Sequence, residues 1–338
     1  MLSLKKTVDA AASQGPSELK HIDYLDGWRG LAIALVLEEH FVGLLPIDSG
    51  RLGVDIFFCL SGLLMSRILF IQRVSLDIFY KRRISRILPV FGIFVIAVYL
   101  FALLTGNAGT WTEFATTVAF LRTYLPEQPD IWHSTVSIGH VWSLNAEEHC
   151  YIFLSILTLV KTFRNQEAYV LISSGVVTII IGLIYAKYPW VAPPWGSLGT
   201  EVVASHLLLS AGYSLLRDRV AHFISGWMPL GTLCLAVVCY SNMLPWWGHI
   251  LIAPFLLAFS INHLPEAPRW FHALLASPPL RIIGIWSFSI YLWQQPFYVQ
   301  KGHLFGGSSV ALILAILFGL LSFYFLEKPI RTWLNKNW

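Results

Sequence analysis

The chain has 338 residues, 56% of them hydrophobic and only 12% charged, with a formal net charge of +4. Soluble domains carry roughly 25% charged residues, and so apolar a chain cannot cover itself with a polar shell in water. Composition therefore excludes an ordinary soluble domain, and the small net charge gives no reason to expect a nucleic-acid partner.

Residues 1–24 are polar, carry Lys5, Lys6 and Lys20, and lack the apolar core of a signal peptide. They are expected to form a cytosolic tail. Runs of roughly 20 apolar residues, the length of a spanning helix, follow at 28–46, 52–71, 87–104, 141–160, 168–186, 198–216, 222–240, 244–263, 280–299 and 308–327. The expected fold is all-α: a polytopic membrane helix bundle with about ten transmembrane helices. The stretch 111–125 is short and contains Glu113 and Arg122; it is expected to lie at the surface or half-inserted. Residues 25–331 read as one membrane domain and 332–338 as a cytosolic C-terminal tail. If the N-terminus is cytosolic and the spans alternate, all but Arg51, Arg122, Lys187 and Lys301 of the 23 Lys and Arg face the cytosol. That is the bias of cytosolic loops, and it puts both termini inside. Cys59, Cys150, Cys234 and Cys239 lie in apolar stretches and read as small buried hydrophobes. No metal-ligand spacing is visible.

Ionisable groups inside a span are costly, so they point to function. The first span carries Arg29 at its inner end and Glu38, Glu39 and His40 further out. As an α-helix it would place Arg29 and His40 on one face, about 16 Å apart along the axis. Such a stripe suits an extended anionic donor that enters from the cytosol and brings its reactive end to an imidazole. Asp55 is expected at a depth similar to His40, where its carboxylate could orient the ring; capping of its helix is the alternative. Arg82, Arg83 and Arg86 cluster on the cytosolic side, with Arg82 and Arg86 one turn apart. Guanidinium forks match phosphate oxygens, and the same cluster also fits a topology signal. The fourth span opens with Trp142 and Ser143 and carries Glu147, Glu148, His149 and Tyr151; its carboxylates are expected to line a polar cavity. Tyr291 and Gln294 lie in the ninth span.

Taken in order, these blocks resemble the acyltransferase-3 family of multi-spanning membrane proteins, which acylate O-antigens, exopolysaccharides, Nod factors and macrolides. The resemblance runs from Leu25 to Arg331. It rests on Leu25-Asp26-Gly27-Trp28-Arg29-Gly30 with His40, Gly53 to Gly62, Arg82-Arg83 with Arg86 and Pro89, Trp142-Ser143-Leu144 with Glu147 and Tyr151, Tyr291-Leu292-Trp293, and Glu327 with Pro329. It implies a protein of the bacterial inner membrane that uses acyl-CoA, acetyl-CoA on family frequency, as co-substrate at the cytosolic face. The acceptor would be a glycan or glycolipid reached from the other side, with polysaccharide-assembly proteins as candidate partners alongside membrane lipid.

In this reading Arg29, Arg82, Arg83 and Arg86 hold the coenzyme, and His40, oriented by Asp55 or Glu147, deprotonates the acceptor hydroxyl. Trp142, Ser143, Glu148, Tyr291 and Gln294 bind substrate. The chain departs from the family pattern at Gln294, where many members have His, at Glu38 and Glu39, and at His149-Cys150. The soluble esterase-like domain that some members append is not expected here, and transfer is expected to finish in the membrane domain or on a separate partner. The rival reading is a transporter or flippase for a glycolipid or acyl donor, which needs the same buried charges. The related halves common in transporters are not visible here.

Overall fold

A computed structural model describes residues 23–338. The expected N-terminal tail lies outside the described residues except for Asp23 and Tyr24, which open the first helix. Among the described residues the fold is all-helical, and the sole β feature is an isolated bridge between Ile47 and Ser241.

In chain order, α1 (Asp23–Leu37) runs into a π-helical turn at Glu38–Val42. Next come α2 (Ser49–Ser66), α3 (Leu76–Leu104), α4 (Trp111–Val118), α5 (Val141–Leu159) and α6 (Glu167–Lys187). The second half holds α7 (Ser205–Leu216), α8 (Met228–Cys239), α9 (Ala253–Asn262), α10 (Arg269–Leu275), α11 (Pro278–Gln300), α12 (Gly307–Ser322) and α13 (Lys328–Asn337). The left-handed Gly43 (φ 66°) ends the π turn, a conformation glycine adopts without steric cost. The Asp48 side chain then caps α2 by accepting from the Arg51 N–H at 2.9 Å.

The bundle is organised around α1, which packs between α11 and α2; α2 in turn packs on α7, and α12 packs on α11. Close approach of backbones makes these crossings. A Cβ built on Gly284 would sit 1.7 Å from the Asp26 carbonyl oxygen, and one on Gly30 would sit 2.0 Å from that of Leu280. Gly62 makes the same kind of approach to the Leu207 carbonyl of α7. Small residues let helices associate where lipid supplies no hydrophobic drive between them.

Each of the ten expected spans falls on helix. Four stretches are long and apolar enough to cross a membrane: Ser49–Ile71, Leu76–Leu104, Glu167–Lys187 and Gly307–Asn337. The bent pair α10–α11, meeting at 52°, makes a fifth if it is one span. The other segments fall short for particular reasons. The π turn after α1 and the first half of α5 carry carboxylates, and α8 and α9 are apolar but have only 12 and 10 residues. Within α3, Ile96, Leu100, Phe101, Leu103 and Leu104 are exposed. Such a belt, repeated on other helices, requires lipid as its solvent, and the chain is an integral membrane protein. The stretch 111–125 contains the eight-residue α4, about 12 Å long, which is too short to cross.

Candidate active site

The site begins where α1, α2, α3, α5 and α11 face one another. A cavity of about 110 Å³ lies between them, and Arg29, Arg83, Arg86, Ser143, Glu147 and Tyr291 reach its wall. Apolar side chains such as Val54, Phe57, Leu144 and Phe288 complete the wall between these polar groups.

Arg29 Nη1 donates to Asp26 Oδ1 at 3.2 Å, one turn back on α1. Arg83 is held hardest. Its Nη2 lies 2.7 Å from Glu148 Oε1 and 3.8 Å from Glu147 Oε1, and its guanidinium carbon sits 3.3 Å from the centre of the Tyr151 ring. Glu147 accepts from Ser61 Oγ at 2.5 Å and from the Tyr151 hydroxyl. Glu148, expected at the substrate, is instead the counter-ion of Arg83 and does not reach the cavity wall. Ser143 Oγ and the Tyr291 hydroxyl are 2.7 Å apart, and that hydroxyl also donates to the His140 carbonyl at 3.0 Å.

His40 stands one turn of α11 beyond this chamber. Its Nδ1 lies 2.6 Å from Gln294 Oε1, its ring stacks on Tyr298 at 4.2 Å, and its carbonyl accepts from Lys301 Nζ at 2.7 Å. An amide oxygen only accepts, so Nδ1 carries the hydrogen and Nε2 keeps the lone pair. Gln294 is fully buried and follows Tyr291 by one turn on the same helix. Tyr291 thus faces the chamber, and Gln294, which lies outside it, holds the imidazole one turn further along α11.

The expected orientation of His40 by Asp55 or Glu147 is corrected by this geometry. Asp55 is fully buried, with Oδ2 accepting from Arg51 Nε at 3.0 Å and from the Tyr240 hydroxyl at 2.8 Å, and with His206 Nδ1 3.5 Å from Oδ1. An arginine one turn earlier on α2 takes the carboxylate first. Arg51 also lies over the Trp142 ring at 5.4 Å, which draws Trp142 into the same cluster and away from the chamber. Glu147 is taken by Ser61 and Tyr151. The straight-helix register of Arg29 and His40 is altered as well, because His40 lies within the wider π turn.

A second, wider cavity of about 590 Å³ opens beside the first, and the two share Met65, Arg83 and Arg86. Arg82 and Lys81 line this wider space. Arg82 and Arg86 have no ion-pair partner among the described residues.

Sequence reasoning missed Tyr298, Lys301, Ser61 and His140. The first two were within reach: Gln294, Tyr298 and Lys301 recur at helical spacing and share one face. His140 carried no such signal. It is buried, packs edge-on against Tyr291 at 5.2 Å and Phe94 at 5.6 Å, and neither ring nitrogen has a hydrogen-bond partner among the described residues.

Comparison with known proteins adds the family. The chain is 27% identical over 355 residues to the Bacillus subtilis protein named "Putative peptidoglycan O-acetyltransferase YrhL", a match covering 93% of this chain and 55% of that protein. It is 24% identical over 362 residues to "Peptidoglycan O-acetyltransferase OatA" of Listeria monocytogenes, covering 92% and 56% respectively. The chain therefore spans little more than half the length of the curated relatives it matches. No solved structure matches it. A family model described as an acyltransferase domain matches residues 22–327, nearly the whole chain, and the chain belongs to that acyltransferase family.

Proposed function

We propose that this chain is an O-acyltransferase of the bacterial inner membrane that moves an acyl group, acetyl first among candidates, from acyl-CoA at the cytosolic face to a sugar hydroxyl of an exported polysaccharide or its lipid-linked precursor. The names of two relatives make peptidoglycan the first acceptor to try. Both termini lie in the cytosol, and about ten helices cross or enter the bilayer.

One observation carries this reading: two arginine-lined cavities meet at Arg83 and Arg86, and His40 stands one turn of α11 beyond the Tyr291 that lines the narrow one. Lys81 and Arg82 line the wide cavity, and Tyr291 on the narrow one's wall is one helical turn from the Gln294 that holds His40. Acyl-CoA has the matching shape, with a bulky polyanionic nucleotide, a thin arm and a thioester at the tip. The narrow chamber admits the arm and not the nucleotide. Arg86, which has no ion-pair partner among the described residues, supplies positive charge for the phosphates, whereas Arg83 is largely neutralised by Glu148.

At the far end, His40 Nε2 takes the proton of the acceptor hydroxyl as its oxygen attacks the thioester carbonyl carbon. The C–O bond forms, the C–S bond breaks, and the departing thiolate takes up a proton to leave as free coenzyme A. The ester remains on the sugar. Tyr298, stacked on His40 and with Lys301 Nζ 4.4 Å from its ring centre, holds the imidazole in place at the outer end.

Purified protein with labelled acetyl-CoA and peptidoglycan fragments tests this. Labelled glycan and stoichiometric free coenzyme A are expected, and His40→Ala should lower the rate about 10²–10⁴-fold, the usual worth of a general base. Wild-type turnover in a well-folded His40→Ala protein would remove this histidine from the chemistry. Movement of unmodified glycolipid across vesicles without acyl transfer would replace the enzyme with a transporter.

A further inference from the structure

The wider cavity has a wall that the proposed function leaves unused. Its far side is built by α13, through Arg331, Asn335 and the residue that follows the helix, Trp338. Asn335 Oδ1 accepts from Ser85 Oγ at 2.8 Å and so fastens α13 to the arginine-bearing turn of α3. Five cations line the space, namely Lys81, Arg82, Arg83, Arg86 and Arg331, and no carboxylate does. Arg331 is also paired with Glu327 Oε1 at 3.4 Å, and Glu327 Oε2 accepts from Ser289, so this carboxylate stands behind the cavity wall and offsets part of its charge. At about 590 Å³ the space falls within the range of small-molecule and cofactor sites, roughly 300–1,000 Å³.

We infer that α13 and Trp338 form the outer half of a nucleotide-binding site. The adenine ring lies on Trp338, the 3′-phosphate sits among Lys81, Arg82 and Arg331, and the diphosphate is held at the neck by Arg83 and Arg86. The assignment follows the order of groups along the ligand. Only Arg83 and Arg86 among these cations line both cavities beside the thin arm's path, so the diphosphate, next to the arm, belongs there. The groups beyond the diphosphate must then meet residues that line the wide cavity alone. A 3′-phosphate and a diphosphate together carry about four negative charges at neutral pH; Lys81, Arg82 and Arg86 meet them with no ion pair of their own among the described residues, and Arg83 and Arg331 each share theirs with a carboxylate. An indole is a good platform for a base. The segment expected as a cytosolic tail becomes part of the donor site.

This inference rests on the acyl-CoA reading, and the test separates the two. Binding of coenzyme A, dephospho-coenzyme A and 4′-phosphopantetheine is measured on the full chain in nanodiscs. Trp338→Ala is expected to weaken both nucleotides about tenfold and to leave phosphopantetheine within twofold. Arg331→Gln is expected to weaken coenzyme A about tenfold while sparing dephospho-coenzyme A, which lacks the 3′-phosphate. Trp338→Phe keeps the stacking face and should restore most of the affinity, which guards against a folding defect. If wild-type protein binds coenzyme A and the Ala and Gln variants bind it equally well, α13 is not part of the site and the inference falls alone. It falls alone, too, if the variants weaken phosphopantetheine as much as coenzyme A. Failure of wild-type protein to bind coenzyme A overturns both readings.

Discussion

His40 has one ring nitrogen committed to Gln294 and the other free, and this division decides which nitrogen can act. A histidine whose Nδ1–H is held keeps a fixed tautomer and a fixed ring plane, and the residue that holds it contributes without touching substrate. Gln294→Leu, which fills the space without accepting, is expected to lower kcat about 10–100-fold with little change in the KM for acyl-CoA, because Gln294 does not line either cavity. Gln294→Glu still accepts and should retain most of the activity. Equal loss in both variants would assign Gln294 to packing alone. The residues of this site were unevenly legible. Arg29, Glu147 and His40 stood out because a charge or imidazole inside an apolar run is expensive in lipid. Their partners did so less: Arg51 and Asp55 stand one turn apart on α2, a spacing visible in the sequence, whereas the Tyr240 hydroxyl that completes the cluster comes from 185 positions away. The 254 residues that separate His40 from Gln294 leave no trace of their contact in a single sequence.

At the scale of the element, the site depends on how closely α1 and α11 cross. The crossing lies at Gly30 and Gly284, two turns and more before the level of Tyr291 and Gln294 on α11. A side chain at Gly284 would overlap the Asp26 carbonyl, and no rotamer of a flexible neighbour can relieve a clash with backbone. Gly284→Val should therefore force the helices apart and is expected to destabilise the protein by about 1–3 kcal/mol or more. It should also reduce activity, because the 2.6 Å bond between His40 and Gln294 bridges the two separated elements. Thermal unfolding in detergent and the acetyl-transfer rate measure the two effects, and an unchanged melting temperature would argue that the crossing is looser than the backbones indicate. Apolar runs made the helices easy to place in the sequence. Their breaks were less visible: the π turn at Glu38–Val42 and the 52° bend between α10 and α11 depend on what packs around them.

For the whole molecule, the proposed reaction requires one orientation in the bilayer, and cations mark the two ends of the site. Lys81, Arg82, Arg86 and Arg331 surround the wide cavity, whereas Lys301 bonds the carbonyl of His40 at the other end of the site. The first group belongs to the expected cytosolic set and Lys301 to the expected outer set, so charge bias and side-chain placement support one orientation. The helix α6 offers a clean test. Its 21 residues extend about 32 Å, slightly more than the ~30 Å hydrocarbon core, so its two ends belong on opposite sides of the membrane. In a Cys234→Ser background, chosen because Cys234 is exposed while Cys59, Cys150 and Cys239 are buried, a single cysteine is placed at Thr162 or at Val191, just beyond either end of α6. An impermeant maleimide added to intact cells should label Val191→Cys and spare Thr162→Cys until the membrane is opened. The reverse pattern would turn the wide basic cavity outward, away from the cytosolic coenzyme pool, and would remove the topological basis for an acyl-CoA donor even if His40 proved indispensable.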